Sequence, residues 1–217
     1  MTQHSIQLYS LATPNGQKIG VALEEMGLAY DAHRIDIMRG DQFTEEFKKI
    51  NPNSKIPAIT DLDGPHGKPI NIMESGAILI YLAEKSGKFL PSDPALRCVT
   101  LQWLFFQVGG IGPMFGQFGH FFRYAKDKCL DPYPLERYSN EAKRLLAVLE
   151  HQLGTHTYIA GREYTIADMA IFPWINALHV FYKADEQLEL DQFNHVKRWL
   201  AHCLQRPAVQ KGMLVCK

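Results

Sequence analysis

The chain has 217 residues, of which 46% are apolar and 21% are charged, an ordinary composition for a globular protein. This length suffices for one large domain or two small ones with a substantial core. Lys plus Arg and Asp plus Glu number 23 each, so the formal net charge is zero. A protein that binds nucleic acid normally carries a basic surplus, so the balance disfavours that class.

The first 90 residues alternate strand and helix signals. Short apolar alternations predict strands at 5–10, 30–37, 57–61 and 69–73, and apolar residues at helical spacing predict helices at 15–27, 42–50 and 74–86. In the second helix, Phe43, Phe47 and Ile50 are expected to face inward. The order βαβαββα indicates an α/β domain with a mixed sheet and a right-handed crossover.

Strand signals stop after Gly87. The segment 90–94 is rich in proline and is the best domain boundary, and everything beyond it has helical periodicity. We therefore predict an α/β domain at 1–88 and an all-helical domain at 95–217.

Four glycines in the predicted helical domain are spaced three, four and three residues apart, at Gly109, Gly112, Gly116 and Gly119. Each costs about 0.8–1 kcal/mol relative to alanine inside a helix, so close approach by another helix or by a ligand is expected along this face. Nearby phenylalanines either wall a site for an electrophile or are ordinary core; they are Phe115, Phe118, Phe121 and Phe122.

The sequence also bears on the compartment. Its four cysteines form no C-x-x-C pair, which favours a reducing environment without a disulfide framework or a cysteine-rich zinc site. Residues 1–10 do not resemble a secretory signal, and the longest apolar run, 77–83, is far shorter than the roughly 20 residues of a membrane span. We expect a cytoplasmic protein without a membrane partner.

The segment Thr13-Pro14-Asn15-Gly16 follows the first predicted strand. Thr is a preferred N-cap and Pro suits the first helical position, so one interpretation is simply a well-made helix start. The other is a site for an anion such as a thiolate, because a helix N-terminus offers free N–H groups and partial positive charge. Thr13 and Asn15 would then donate hydrogen bonds to it.

Two further segments allow both a structural and a functional interpretation. Pro57 opens a strand; if the Ile56–Pro57 bond is cis, the backbone of Ile56 faces outward and can pair with an extended peptide. Glu74 and Ser75 begin a helix, where an acid complements the dipole. Alternatively, Ser75 and the helix N–H groups hold a carboxylate while Glu74 binds an ammonium, which together would accept an amino-acid head group.

Three runs taken together, S-L-A-T-P-N-G-x-K, N-P-N-S-K-I-P-A-I and M-E-S-G-A-I-L-I-Y-L-A, resemble a glutathione transferase N-terminal domain. The box Thr165-x-x-Asp168 resembles the start of the central helix of that family's C-terminal domain, so the resemblance covers nearly the whole chain. The segments 13–16, 40–43 and 101–114 are similar to the bacterial nu class, the disulfide-bond oxidoreductases.

The resemblance implies a thioredoxin-like fold for the first domain, a cis bond before Pro57 and bound glutathione. Thr13 and Asn15 would lie beside the glutathione sulfur as catalytic residues. The implied glutathione-binding residues are Ile56 at the cysteinyl backbone, Lys55 and Gln42 at the glycine end or a second glutathione, Glu74 and Ser75 at the γ-glutamyl head, and Arg137. Without the resemblance, Arg137 is equally well an exposed arginine on a helix. No metal is expected.

Other branches of the family use a Tyr near the end of the first strand or a Cys at the head of the first helix. Tyr9 is interpreted as structural, and the helix head holds Thr and Asn, so any reacting thiol must come from glutathione itself. Thr165 and Asp168 are interpreted as a capping box.

We therefore expect a cytoplasmic, homodimeric, glutathione-dependent thiol:disulfide oxidoreductase that acts on small molecules. One alternative is an enzyme that conjugates glutathione to small electrophiles. The other is a binding module without catalysis, because fold does not fix function.

Overall fold

The structure is a computed structural model that describes residues 4–217, and it divides into two units. A four-stranded mixed sheet forms the centre of the first unit. The strands are β1 (Ile6–Ser10), β2 (Tyr30–Arg34), β3 (Ala58–Asp61) and β4 (Ile70–Met73). Their spatial order is β2-β1-β3-β4; β1 pairs parallel to β2, and β3 is antiparallel to both β1 and β4. The expected order βαβαββα and the mixed sheet are confirmed.

Two helices connect these strands, α1 (Pro14–Met26) between β1 and β2 and α2 (Glu45–Ile50) between β2 and β3, and a third, α3 (Ser75–Ser86), follows β4. The helix α1 ends at Gly27, whose φ of 70° is left-handed and suits the glycine found there. A short 3₁₀ turn, Asp41–Phe43, precedes α2. Phe47 is buried as expected, but the inward placement of Phe43 is wrong: its side chain is 60% exposed because this turn breaks the helical phase before α2.

The sheet is tied to α3 through a buried carboxylate. Asp61 at the end of β3 accepts a hydrogen bond from the Tyr81 hydroxyl at 2.6 Å. It also forms an ion pair with Lys85 Nζ at 2.8 Å. Both partners lie on α3, whose other face is buried with Ile78, Leu79 and Leu82. The polar face of α3 therefore fixes its position along the strand.

The last residues of the chain belong to this first unit, which comprises the described residues 4–90 and 206–217. The final helix α9 (Pro207–Gly212) crosses α1 so closely that a Cβ on Gly212 would lie 2.4 Å from Val21 Cα. The ion pair Arg206–Glu25 also joins the two helices. The compact units thus differ at this end from the predicted domain 95–217, which the sequence extended to the C-terminus.

The second unit, residues 91–205, is all helical. Its helices are α4 (Pro94–Phe106), α5 (Gly112–Gly119), α6 (Tyr133–Leu153), α7 (Ile166–Ala177) and α8 (Asn194–Leu204). Two π-helical segments, 107–111 and 120–124, continue α4 and α5 into one run. By length and composition, 94–124 would suffice to cross a bilayer, a test that core helices of globular proteins also pass.

The glycine face of this run is explained partly by packing within the unit. A Cβ on Gly119 would lie 2.2 Å from the ring of Tyr182, and one on Gly112 would lie 2.7 Å from the Gln107 amide. Gly109 faces open space, so close approach does not explain it. Phe115 and Phe118 are fully buried core side chains, whereas Phe121 and Phe122 are partly exposed.

Candidate functional site

The register of the sheet brings the three predicted motifs to one end of the first unit. Tyr9 near the end of β1 pairs with Ala58 at the start of β3, which in turn pairs with Met73 at the end of β4. The chain leaving β1, the chain entering β3 and the chain leaving β4 therefore meet at the same edge. Thr13, Ile56 and Glu74 lie on these three connections.

Two helices, α1 and α3, begin at this edge and direct their N-termini toward it. Each N-terminus carries unsatisfied N–H groups and partial positive charge, so the edge favours an anion. The glycine of the first motif is sterically required, because a Cβ on Gly16 would lie 1.9 Å from the carbonyl oxygen of Leu11. Only glycine lets α1 begin this close to the end of β1.

Thr13 is the N-cap of α1, as predicted. Its hydroxyl oxygen accepts a hydrogen bond from the Gly16 N–H at 3.3 Å. The cap uses an oxygen lone pair and leaves the hydroxyl hydrogen for donation to a second acceptor. Asn15 lies in the first turn of α1 and is, like Thr13, half-buried.

Glu74 has an unusual backbone for a non-glycine residue. Its φ of 69° and ψ of 115° fall outside the favoured regions, at a cost of about 1–3 kcal/mol. The side chain is exposed and makes no capping hydrogen bond to α3. Glu74 therefore does not cap α3 through a hydrogen bond, and its exposed carboxylate is accessible to a ligand.

Ser75, the first residue of α3, is buried, and its hydroxyl oxygen accepts a hydrogen bond from Lys18 Nζ at 3.1 Å. Lys18 lies on α1 and is only 1% exposed. Burial lowers the pKa of Lys18 to about 7, and the nearby Glu74 carboxylate acts in the opposite direction. Our sequence reasoning gave Lys18 no role; the signal was its position four residues before Ala22, on the buried face of α1.

The other predicted binding residues in the first unit lie on the loops around β3. The Ile56–Pro57 bond is cis, as the resemblance implied, and Ile56 lies outside the strand ladder that starts at Ala58. Lys55 is exposed. Gln42 donates weakly to the Ile37 carbonyl at 3.4 Å, and among the described residues its buried Oε1 atom has no hydrogen-bond donor. Such an acceptor is suited to a ligand N–H.

Arg137 lies in the second unit, near the start of α6. Its side chain is exposed, and its guanidinium lies 3.9 Å from the Glu141 carboxylate one turn further along the helix. A part for Arg137 in ligand binding stays a prediction. Tyr9 stacks on His33 with ring centroids 4.8 Å apart, in keeping with its structural interpretation.

One cysteine lies closer to the helix head than its sequence position suggested. The carbonyl oxygen of Cys216 accepts a hydrogen bond from the Ala12 N–H at 3.1 Å. Burial raises the pKa of the Cys216 thiol, so little of it is thiolate at neutral pH. All four cysteines are free thiols, and residues 4–217 contain no cluster of His, Cys, Asp and Glu suited to a metal ion.

Comparisons with known proteins identify the family of this chain. Residues 12–85 match the family model for the glutathione S-transferase N-terminal domain, and residues 130–207 match that for the C-terminal domain. Disulfide-bond oxidoreductase YghU of Escherichia coli K12 is 49% identical over 221 residues, which cover 98% of this chain and 75% of YghU.

Two solved structures are closely similar. A glutathione transferase family member from Pseudomonas fluorescens Pf-5, with two glutathione bound, is 55% identical with a TM-score of 0.96, and the match covers 98% of this chain and 93% of that one. A glutathione transferase from Pseudomonas putida, with one glutathione disulfide bound per subunit, is 52% identical with a TM-score of 0.96, covering 99% and 93%. The chain belongs to the glutathione S-transferase family.

Proposed function

We propose that this protein is a glutathione-dependent thiol:disulfide oxidoreductase that uses bound glutathione as its reacting thiol. The observation that carries the proposal is the convergence of the three predicted motifs at one sheet edge, where the helix head offers Thr13 and Asn15 and no cysteine. The similarity to YghU, a disulfide-bond oxidoreductase, and to transferases solved with glutathione or its disulfide supports it.

In this proposal glutathione lies across the edge in an extended conformation. Glu74 binds its ammonium group, and Ser75 with the N-terminus of α3 binds its α-carboxylate. Ile56 pairs with the cysteinyl backbone, which directs the sulfur toward the head of α1. Lys55 and Gln42 are proposed at the glycine end or at a second glutathione, and Arg137 is proposed as a further ligand contact.

The proposed chemistry starts with the thiolate. The Thr13 hydroxyl and the Asn15 amide donate hydrogen bonds to the sulfur, and together with the positive end of α1 they lower its pKa. The thiolate attacks a disulfide, forms a mixed disulfide and releases one substrate thiolate, which takes up a proton. A second glutathione thiolate attacks the mixed disulfide at the glutathione sulfur, giving glutathione disulfide and the second substrate thiol.

The remaining parts of the proposal concern context. Four free cysteines are in keeping with a reducing compartment, which supports a cytoplasmic location. The zero net charge supports small molecules rather than nucleic acid as partners. We also propose a homodimer that requires neither a metal nor a membrane; large apolar side chains exposed in both units support the dimer, among them Phe43, Leu96 and Phe105.

The activity is tested by two assays on the wild-type protein with glutathione, one with a small model disulfide and one with an aryl halide electrophile. We expect faster turnover of the disulfide. The variant Cys216→Ala is the matched control for a protein thiol near the site, and it should retain turnover within about twofold because burial keeps that thiol protonated.

Three outcomes would contradict parts of the proposal. Binding of glutathione without turnover of either substrate would identify a binding module. Conjugation that far exceeds disulfide reduction would identify a transferase of electrophiles. Loss of disulfide turnover in Cys216→Ala, with the fold preserved, would show that a protein thiol takes part.

A further inference from the structure

Lys18 is a lysine inside the core of the first unit. It is among the largest fully buried side chains of the described residues, and lysine is almost never buried to this degree without a partner for its charge. The proposed reaction gives Lys18 no direct part. The proposed reaction therefore does not explain why an ammonium group lies on α1 facing the start of α3.

The contact with Ser75 has a defined direction. When Lys18 is protonated, its ammonium group only donates hydrogen bonds, so at 3.1 Å the Ser75 hydroxyl oxygen is the acceptor. The hydrogen of that hydroxyl must then point away from Lys18. Lys18 thereby orients Ser75 so that it can donate to a further acceptor at the N-terminus of α3.

The charge of Lys18 acts in the same sense as this orientation. Its Nζ lies 3.1 Å from the Ser75 hydroxyl oxygen, at the N-terminus of α3, which itself carries partial positive charge. Both charges favour an anion such as a carboxylate. Burial lowers the pKa of Lys18 to about 7, while Glu74 favours the charged form. A carboxylate docked on Ser75 would add a second negative charge and hold Lys18 protonated.

We propose that Lys18 is a positioning residue for glutathione, acting through the Ser75 hydroxyl to select ligands that carry a free α-carboxylate on the γ-glutamyl group. This rests on the proposed function, in which Ser75 holds that carboxylate. It adds a second layer to the site: Lys18 touches no ligand atom itself, and its effect depends on Ser75.

The test compares two ligands on four proteins. The ligands are glutathione and an analogue in which the γ-glutamyl α-carboxylate is a carboxamide; the proteins are wild type, Lys18→Met, Ser75→Ala and the double variant. Binding is measured by calorimetry. For Lys18→Met we expect at least a tenfold loss of affinity for glutathione and less than a threefold loss for the carboxamide. Ser75→Ala should lose the same preference, and the double variant should lose little more than Ser75→Ala.

The design separates positioning from a structural role. A general distortion of the site would weaken both ligands equally, and that result, or an unchanged preference in Lys18→Met, would overturn the inference. If Lys18→Met does not fold, Lys18→Leu is used instead; it also removes the donor for Ser75 and should lose at least threefold of the preference, while an unchanged preference again overturns the inference. Wild type that binds no glutathione would instead contradict the proposed function.

Discussion

Thr13 has two tasks at the head of α1, because its oxygen caps the helix while its hydroxyl hydrogen is free to be donated to sulfur. Thr13→Ala and Asn15→Ala should each raise the pKa of the thiol of bound glutathione by about one unit or more. The reason is that a hydrogen bond to a charged group contributes about 1.5–3 kcal/mol, and one pKa unit corresponds to about 1.4 kcal/mol. The ultraviolet absorbance of the thiolate, followed against pH, measures the shift.

The control for this experiment is Thr13→Ser, which keeps both the hydroxyl and the cap. Thr13→Ala also loses the cap, at a cost of about 1 kcal/mol in stability, so affinity and folding are measured alongside. The affinity for glutathione should change little even where the pKa of its thiol shifts, since Glu74, Ser75 and Ile56 are expected to hold the rest of the ligand. A double variant that titrates like wild type would refute the assignment.

Glu74 combines a strained backbone with an exposed carboxylate, so stability and binding should separate there. Glu74→Gly relieves about 1–3 kcal/mol of strain and costs about 0.5–1 kcal/mol in chain entropy. We expect an unfolding midpoint equal to or above that of wild type, together with at least a tenfold loss of glutathione affinity. Thermal unfolding and calorimetry measure the two effects.

Glu74→Gln is the matched control, because it keeps the strain and removes only the charge. Its unfolding midpoint should equal that of wild type, and it should bind glutathione only weakly. A lower midpoint for Glu74→Gly than for Glu74→Gln would show that the native backbone of residue 74 is not strained.

At the scale of the residue, the sequence predicted side chains whose type and spacing carry chemistry. Thr13 was predicted because helix starts follow general capping rules, and Ser75 because it stands with Glu74 at the start of a predicted helix. Lys18 was missed because a lysine within a helix is typical of an exposed surface, and only the packing of α1 against α3 shows that it is buried.

Helix α7 depends on a buried acid at its start. Asp168 Oδ1 accepts hydrogen bonds from the Ile159 N–H at 2.9 Å and from Trp199 Nε1 at 2.8 Å, and Oδ2 accepts from the Thr165 N–H at 2.9 Å. Burial raises the pKa of Asp168 to about 6, while these donors hold it down, so the side chain is ionised at neutral pH. The predicted capping box is confirmed.

Asp168→Ala should lower the free energy of unfolding by about 3 kcal/mol or more, because each buried donor left without an acceptor costs about 1–3 kcal/mol. Urea unfolding of the whole chain measures the loss. Thr165→Ser preserves the cap and should remain close to wild type. A loss below about 1 kcal/mol for Asp168→Ala would show that other acceptors or water replace the carboxylate.

At the scale of the element, the number, type and order of the strands and α-helices between residues 5 and 86 followed from periodicity. The phase of one short segment did not: the 3₁₀ turn before α2 rotates Phe43 outward, and a window of nine residues does not distinguish this turn from a continuous helix. The glycines of the run 94–124 were predicted to allow close packing, which holds for Gly119 and not for Gly109.

At the scale of the whole molecule, periodicity in the sequence does not predict contacts between segments that are distant along the chain. The pairing of α9 with α1 depends on two facing glycines, Gly20 and Gly212, that are nearly 200 positions apart. Gly20 lies in a predicted helix, but nothing in the local sequence indicates that it faces Gly212, so the last residues were assigned to the helical domain.

Assembly is the remaining property at this scale. Phe105 on α4 is 62% exposed and Phe43 is 60% exposed, although burying a side chain of this size contributes about 1.5–3 kcal/mol. We expect them to be covered by a second copy of the chain, giving a dimer that persists at low micromolar concentration.

Phe105→Glu should shift sedimentation toward the monomer, because it places a charge in an apolar contact. Val180→Glu, at another exposed apolar position of the same unit, is the control and should leave the dimer intact. A wild-type protein that sediments only as a monomer at this concentration would refute the dimer, and equal effects of both substitutions would refute the assignment to α4.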